Sequence, residues 1–161
     1  ELKKALKVFA GQERDQATVQ EVTHWTSSFL RLGPNPEVPP EAKLNTILET
    51  ELKRVSKIVA LQEDKIRDQL ARLSDEVAKP GGSTESMRET LHDVGEQIVQ
   101  LKAFAQLNFT GFRKILKKYD KWSKSAVLAW FMGQVMRAPL MSVHYESLLL
   151  SLNGIAMKLE E

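Results

Sequence analysis

Residues 113–121 read RKILKKYDK, and Lys124 comes three positions later. Arg113, Lys114, Lys117, Lys118, Lys121 and Lys124 place six cations between Gly111 and Lys124 against one acid, Asp120. That segment is therefore a net +5; because the whole chain is only +2, the remaining residues carry −3. Crowded ammonium groups do not transfer protons at neutral pH. Their chemistry is capture of anions, and a local excess of one sign points to an oppositely charged partner more strongly than the overall balance does.

Helical geometry sharpens the pattern. At about 100° per residue, with Lys114 at zero, Lys117 falls near 300°, Lys118 near 40° and Lys121 near 340°, so all four share roughly a 100° arc. Phe112, Ile115, Leu116 and Tyr119 cluster on the opposite side at about 100–200°. One face buries and the other presents like charges, each close pair of which costs a few tenths of a kcal/mol, ~0.2–0.5. Elsewhere the chain interleaves its charges, as in ETELKRVSK and QEDKIRDQ. The lysine spacing admits four readings: a solvated helix face, a nucleic-acid contact, an anionic membrane surface and a compact polyphosphate. Specific nucleic-acid recognition favours arginine and same-face aromatics, both of which this arc lacks. Lysine suits a polyphosphate because its flexible point charges can surround several phosphates.

The elements that position this face are helical throughout. Leu44, Leu48, Leu52, Val55, Val59, Ile66, Leu70, Leu73 and Val77 recur at steps of three, four or seven, predicting a helix over about 42–78, roughly 50 Å or more. KPGGST at 79–84 stops it, with Ser83 or Thr84 as the cap of a second helix. The stripe of that helix runs Met87, Leu91, Val94, Ile98, Leu101, Ala105, Phe109, Phe112, Leu116 and Tyr119, predicting a span of about 84–120. Two long stripes joined by a short turn predict an antiparallel helical hairpin. An N-terminal helix at 1–10 and two C-terminal helices complete an all-α fold. Of these last two, the first spans 125–137 with Ser125 as its cap, and the second opens at Pro139 and runs to about Leu159. GPNPEVPP marks a proline-rich linker over 33–41 within one domain of residues 1–161, because proline cannot continue a helix interior.

Composition narrows the function classes. Apolar residues make up 42% and charged residues 27%, which fits a packed core rather than a disordered chain. The absence of cysteine removes disulfides and thiolate metal sites, and a reducing compartment is compatible with it. His24, His92 and His144 are far apart with no ligand-spaced partners, so no metal site is expected. Ser123 beside Lys124 has no base or oxyanion signature, and the carboxylates keep to helix-surface patterns. Gly81 and Gly82 belong to a turn, not to a nucleotide-binding loop. The chain is expected to be non-catalytic, without a cofactor. Trp25, Trp122 and Trp130 read as packing or groove-edge residues, with Trp122 adjoining the lysine face.

Over residues 107–121, LNFTGFRKILKKYDK, the chain resembles the SPX domain, in which this segment is the lysine-rich end of a long central helix. ILETELKRVSKIV at 47–59 is similar to the family's preceding long helix, and ELKKALK at 1–7 to the second helix of its N-terminal hairpin. The resemblance implies a sensor of cellular phosphate status that binds inositol polyphosphates, the pyrophosphates most tightly, in a basic groove. It assigns the groove to Lys114, Lys117, Lys118 and Lys121 on the central helix and to Lys3 on the N-terminal one. Lys4, Lys7, Arg113 and Lys124 are additional candidates. The family's groove tyrosine would lie four residues before Lys3, and its first helix would also precede Glu1, so the expectation is an N-terminally truncated domain. The resemblance further implies inositol hexakisphosphate or an inositol pyrophosphate as ligand. Its implied partners are a regulatory protein or a fused enzyme or transporter domain, with membrane association only through a parent protein. It also implies a location in the cytosol or on a membrane's cytosolic face, with no specific nucleic acid. The competing expectation is a helical interaction module that docks a protein or an anionic membrane through the basic face.

Overall fold

The computed structural model describes residues 41–79 and 84–160. The expected helix at 1–10, the linker at 33–40 and the turn at 80–83 lie outside the described residues. Helix α1 spans Glu41–Val77, α2 Thr84–Ser123, α3 Val127–Arg137 and α4 Tyr145–Glu160, with one 3₁₀ turn at Pro139–Met141. Among the described residues there is no strand, and the fold is all-α as expected. Glu41, placed in the linker by its neighbouring prolines, is the first residue of α1.

α1 persists for 37 residues because it contains neither glycine nor proline, and its apolar positions keep to one side. Eight of its nine expected stripe residues, Leu44 through Leu73, are buried, and only Val77 in the last turn is half-buried. α2 is longer still, at 40 residues, with Glu85 in its first turn and Lys121 in its last, both favourable to the helix dipole. From Val94 onward its stripe is buried apart from the half-buried Phe109, and Phe104 and Ile115 add to it on the flanks.

The chain divides into two compact units. The described part of the first comprises residues 41–51 and 106–136; that of the second comprises 52–79, 84–105 and 137–160. The first unit therefore joins the start of α1 to the end of α2, and the second joins the rest of α1 to the start of α2. This is the antiparallel order of a helical hairpin. In the first unit the core combines Leu44 and Leu48 with Phe112, Leu116 and Tyr119 of α2 and with Val127, Phe131 and Val135 of α3. The Phe112 and Phe131 rings lie 6.0 Å apart at a tilted angle, joining α2 to α3. In the second unit Val55, Val59, Ile66 and Leu70 share a core with Ile98, Leu101 and Phe104, and with Leu148 and Ile155 of α4.

Two C-terminal boundaries differ from expectation. α3 begins at Val127 rather than at residue 125, because its first amides are capped from α2 and not by Ser125. Pro139 opens only a three-residue 3₁₀ turn, closed by the Ser142 amide on the Pro139 carbonyl, and α4 starts at Tyr145. There the His144 carbonyl accepts the Ser147 and Leu148 amides, beginning a new helix.

Candidate functional site

The last three turns of α2 carry the lysines, and the first unit's core fixes how they face. Phe112, Ile115, Leu116 and Tyr119 are all buried, at 6% exposure or less. That pins the helix rotation, and Lys114, Lys117 and Lys121 are exposed on the other side, with Lys118 half-buried at the edge. The structure therefore brings together the four α2 lysines that spacing put on one arc. Arg113 is exposed just outside that arc, near 260° on the same scale. Lys124 is exposed too, but it lies past the helix end and does not extend the face. Lys3, Lys4 and Lys7 lie outside the described residues.

Lys114, Lys117 and Lys121 make no ion pair with any described residue. Asp120, the one acid in the motif, does not offset them in the way its position in the sequence suggests. Its carboxylate accepts the Val127 amide at 2.9 Å through Oδ1 and the Leu128 amide at 3.0 Å through Oδ2. Those are the first two amides of α3, which have no intrahelical partner. The carboxylate is thus committed to a helix N-terminus, where the dipole favours negative charge. Sequence reasoning missed this role because the bond joins residues seven and eight apart across a turn, beyond helical periodicity.

The turn itself is tightly built. Ser123 Oγ donates to the Tyr119 carbonyl at 2.9 Å and lies 2.8 Å from Ser125 Oγ, and it also accepts the Ser125 amide at 3.3 Å. Lys124 between them has φ 55°, the left-handed conformation that ends many helices and that glycine adopts more cheaply. Together these contacts fix α3 against the lysine-bearing end of α2.

Lys118 differs from its neighbours. Its Nζ stands 4.4 Å from the centroid of the Trp122 ring, one helical turn on, which is a close cation–π contact. Tyr119 is buried beneath the face. Burial first, and then the nearby Glu41 carboxylate, raise its phenol above the usual value, so it is neutral at physiological pH. The site is therefore a convex cationic helix face with one ammonium held over an indole. Among the described residues no His, Asp or Glu cluster could hold a metal, and no helix is long and apolar enough to cross a membrane. The chemistry available is multivalent electrostatic binding of an anion.

The chain is similar to known proteins. The family model for the SPX domain matches residues 83–135, which covers most of α2, the capped turn and α3. A vacuolar transporter chaperone complex subunit 2 of Toxoplasma gondii is 48% identical over 54 residues, covering 34% of this chain and 4% of that protein. SPX domain-containing protein 2 of Arabidopsis thaliana is 34% identical over 97 residues, covering 58% of this chain and 34% of the relative. SPX domain-containing protein 1 of the same plant is 30% identical over 142 residues, covering 86% of this chain and 53% of the relative. The chain thus spans about half or less of the length of these relatives.

Proposed function

The chain carries SPX-family sequence across residues 83–135, and from that premise we propose that it is a regulatory binding domain for inositol polyphosphates and pyrophosphates. It would report phosphate status to an attached or partner protein. The observation that carries this reading is the exposed arc of Lys114, Lys117 and Lys121, with Lys118 at its edge and the motif's one carboxylate already engaged by α3.

The physical case is one of charge density. Like charges held on one face are mutually unfavourable until an anion neutralises several at once, and each ammonium–phosphate hydrogen bond is stronger than a neutral one. A ring bearing several phosphates reaches more lysines than orthophosphate does, so it binds more tightly. The family pattern adds Lys3 as a contributor from the N-terminal segment. Engaging both segments with one ligand would couple occupancy to their arrangement, and that coupling is how such a domain would regulate its partner. The likeness to a transporter-complex subunit supports a partner or fused module that receives this signal.

Isothermal titration tests the reading. Inositol hexakisphosphate and an inositol pyrophosphate should bind, orthophosphate should bind far more weakly, and affinity should fall with salt because exposed charges are screened within about 10 Å at 0.1 M. Lys117→Ala should weaken binding at least severalfold. Equal affinity of wild type and variant would reject the assignment. Binding to anionic vesicles with no response to soluble inositol phosphates would favour a membrane-docking module instead.

A further inference from the structure

We infer that Trp122 is a positioning residue for the proposed site: its indole holds the Lys118 ammonium at the edge of the lysine face in the place where a multiply phosphorylated anion needs it. The inference deepens the proposed function and rests on it.

Lys118 and Trp122 are i and i+4 on α2, so their side chains are neighbours on the helix surface. The ammonium sits 4.4 Å from the ring centroid, well within the roughly 6 Å range of the interaction. Both residues are half-buried, whereas Lys114, Lys117 and Lys121 are exposed. The contact therefore forms where water screens it less than on an open helix face.

Entropy gives the contact its value. A lysine side chain has four rotatable bonds, and fixing it costs conformational entropy. For the three exposed lysines that cost falls at the moment of binding. For Lys118 part of it is met beforehand by the indole. An ammonium carries several N–H donors, and a π face engages only one side of it, so a ring and a phosphate can act on one ammonium together. Trp122 itself falls near 80° on the helical scale that sets Lys114 at zero, between the lysine arc and the buried side. It stands beside the face without covering it.

The indole also has a firm foundation. Trp122 immediately precedes Ser123, whose hydroxyl ties back to Tyr119 and across to Ser125. Two residues before Trp122, Asp120 binds the start of α3. The last turn of α2 is thus held on both sides of the indole, which keeps the ring in register with Lys118.

The test is a double-mutant cycle on the whole chain, read by titration with inositol hexakisphosphate. Trp122→Leu should weaken binding roughly three- to tenfold, the range expected for a partly desolvated cation–π contact. Trp122→Phe, which keeps a π face, should recover most of that loss. In the Lys118→Ala background Trp122→Leu should have almost no further effect, because there is no ammonium left to place. An unfolding curve for each variant separates positioning from simple damage. If Trp122→Leu fails to fold, Trp122→Phe and Trp122→Tyr carry the cycle. The inference is overturned if Trp122→Leu binds as well as wild type, or if it loses the same factor with and without Lys118. Lys117→Ala separates this from the parent reading. A wild type that binds and loses affinity with Lys117→Ala but not with Trp122→Leu refutes only the role of Trp122. A wild type that does not bind at all refutes both.

Discussion

Among the described residues, the two units of this molecule handle charge differently. In the second unit, basic side chains are placed a turn from acids: Arg67 bonds Glu63 at 2.6 Å, Arg88 lies 3.9 Å from Glu85, and the His92 ring lies 3.7 Å from Glu96. In the first unit, α2 ends in four lysines on one arc, and its acid is spent on capping α3. Surface pairs of the first kind stabilise by only a few tenths of a kcal/mol each, ~0.2–0.5. The second arrangement costs a similar amount per like-charged pair. A helix selected for stability alone would use the same pattern throughout. The difference teaches that the end of α2 carries a burden the rest of the helix does not, which the proposed binding role would explain.

The largest effect expected on stability comes from the core that sets the rotation of the lysine face. Phe131 is fully buried against Phe112, so Phe131→Ala should destabilise by about 3–5 kcal/mol in urea unfolding and weaken ligand binding with it. Next comes the carboxylate that the first unit diverts from its lysines. Asp120→Ala leaves two α3 amides without their acceptor and should cost about 1–2 kcal/mol, read as a fall in Tm. Lys124→Gly should have the opposite sign and stabilise by about 1 kcal/mol, since glycine occupies the left-handed conformation without the Cβ clash.

The sharpest contrast between the units is smaller still. Lys117→Ala removes the repulsion of Lys117 with Lys114 and Lys121, and should raise the stability of the free chain by about 0.5 kcal/mol while weakening anion binding. Glu63→Gln in the second unit should lower stability by no more than about 0.5 kcal/mol and leave binding unchanged. Equal signs for these two substitutions would erase the distinction.

Alkaline pH acts on both units in the same direction. Burial, and then Glu41, raises the Tyr119 phenol; burial, and then Glu63, raises that of Tyr145. Each folded-state value lies above the unfolded one of about 10, so the stability contributed is fully present below that pH and is lost as the pH rises through the folded values. Phenolate absorbance should therefore appear at higher pH in the native chain than in urea.

Much of this was legible in the residues. The steps of three, four and seven from Leu44 to Leu73 identified a buried stripe, because a helix with no breaker obeys its own periodicity and packs whatever falls on one side. The same arithmetic placed Lys114, Lys117, Lys118 and Lys121 opposite Phe112 and Leu116. What periodicity could not show were contacts that cross a turn or depend on a rotamer. Asp120 reads as a counter-charge to its neighbours until α3 is seen to start over its carboxylate. Lys118 looks equivalent to Lys117 until Trp122 lies beneath its ammonium. Pro139 carries the fixed φ of a helix start, yet the chain makes only a 3₁₀ turn there before beginning α4 at Tyr145.

The most direct measurement is an NMR titration of the isotope-labelled chain with inositol hexakisphosphate, monitoring backbone amides and lysine side chains together. The account predicts saturable shifts concentrated on residues 113–122 and on the lysine ammonium groups of that segment, with residues 63–77 of α1 unmoved. Shifts that map elsewhere, or none at all in a folded sample, would contradict it.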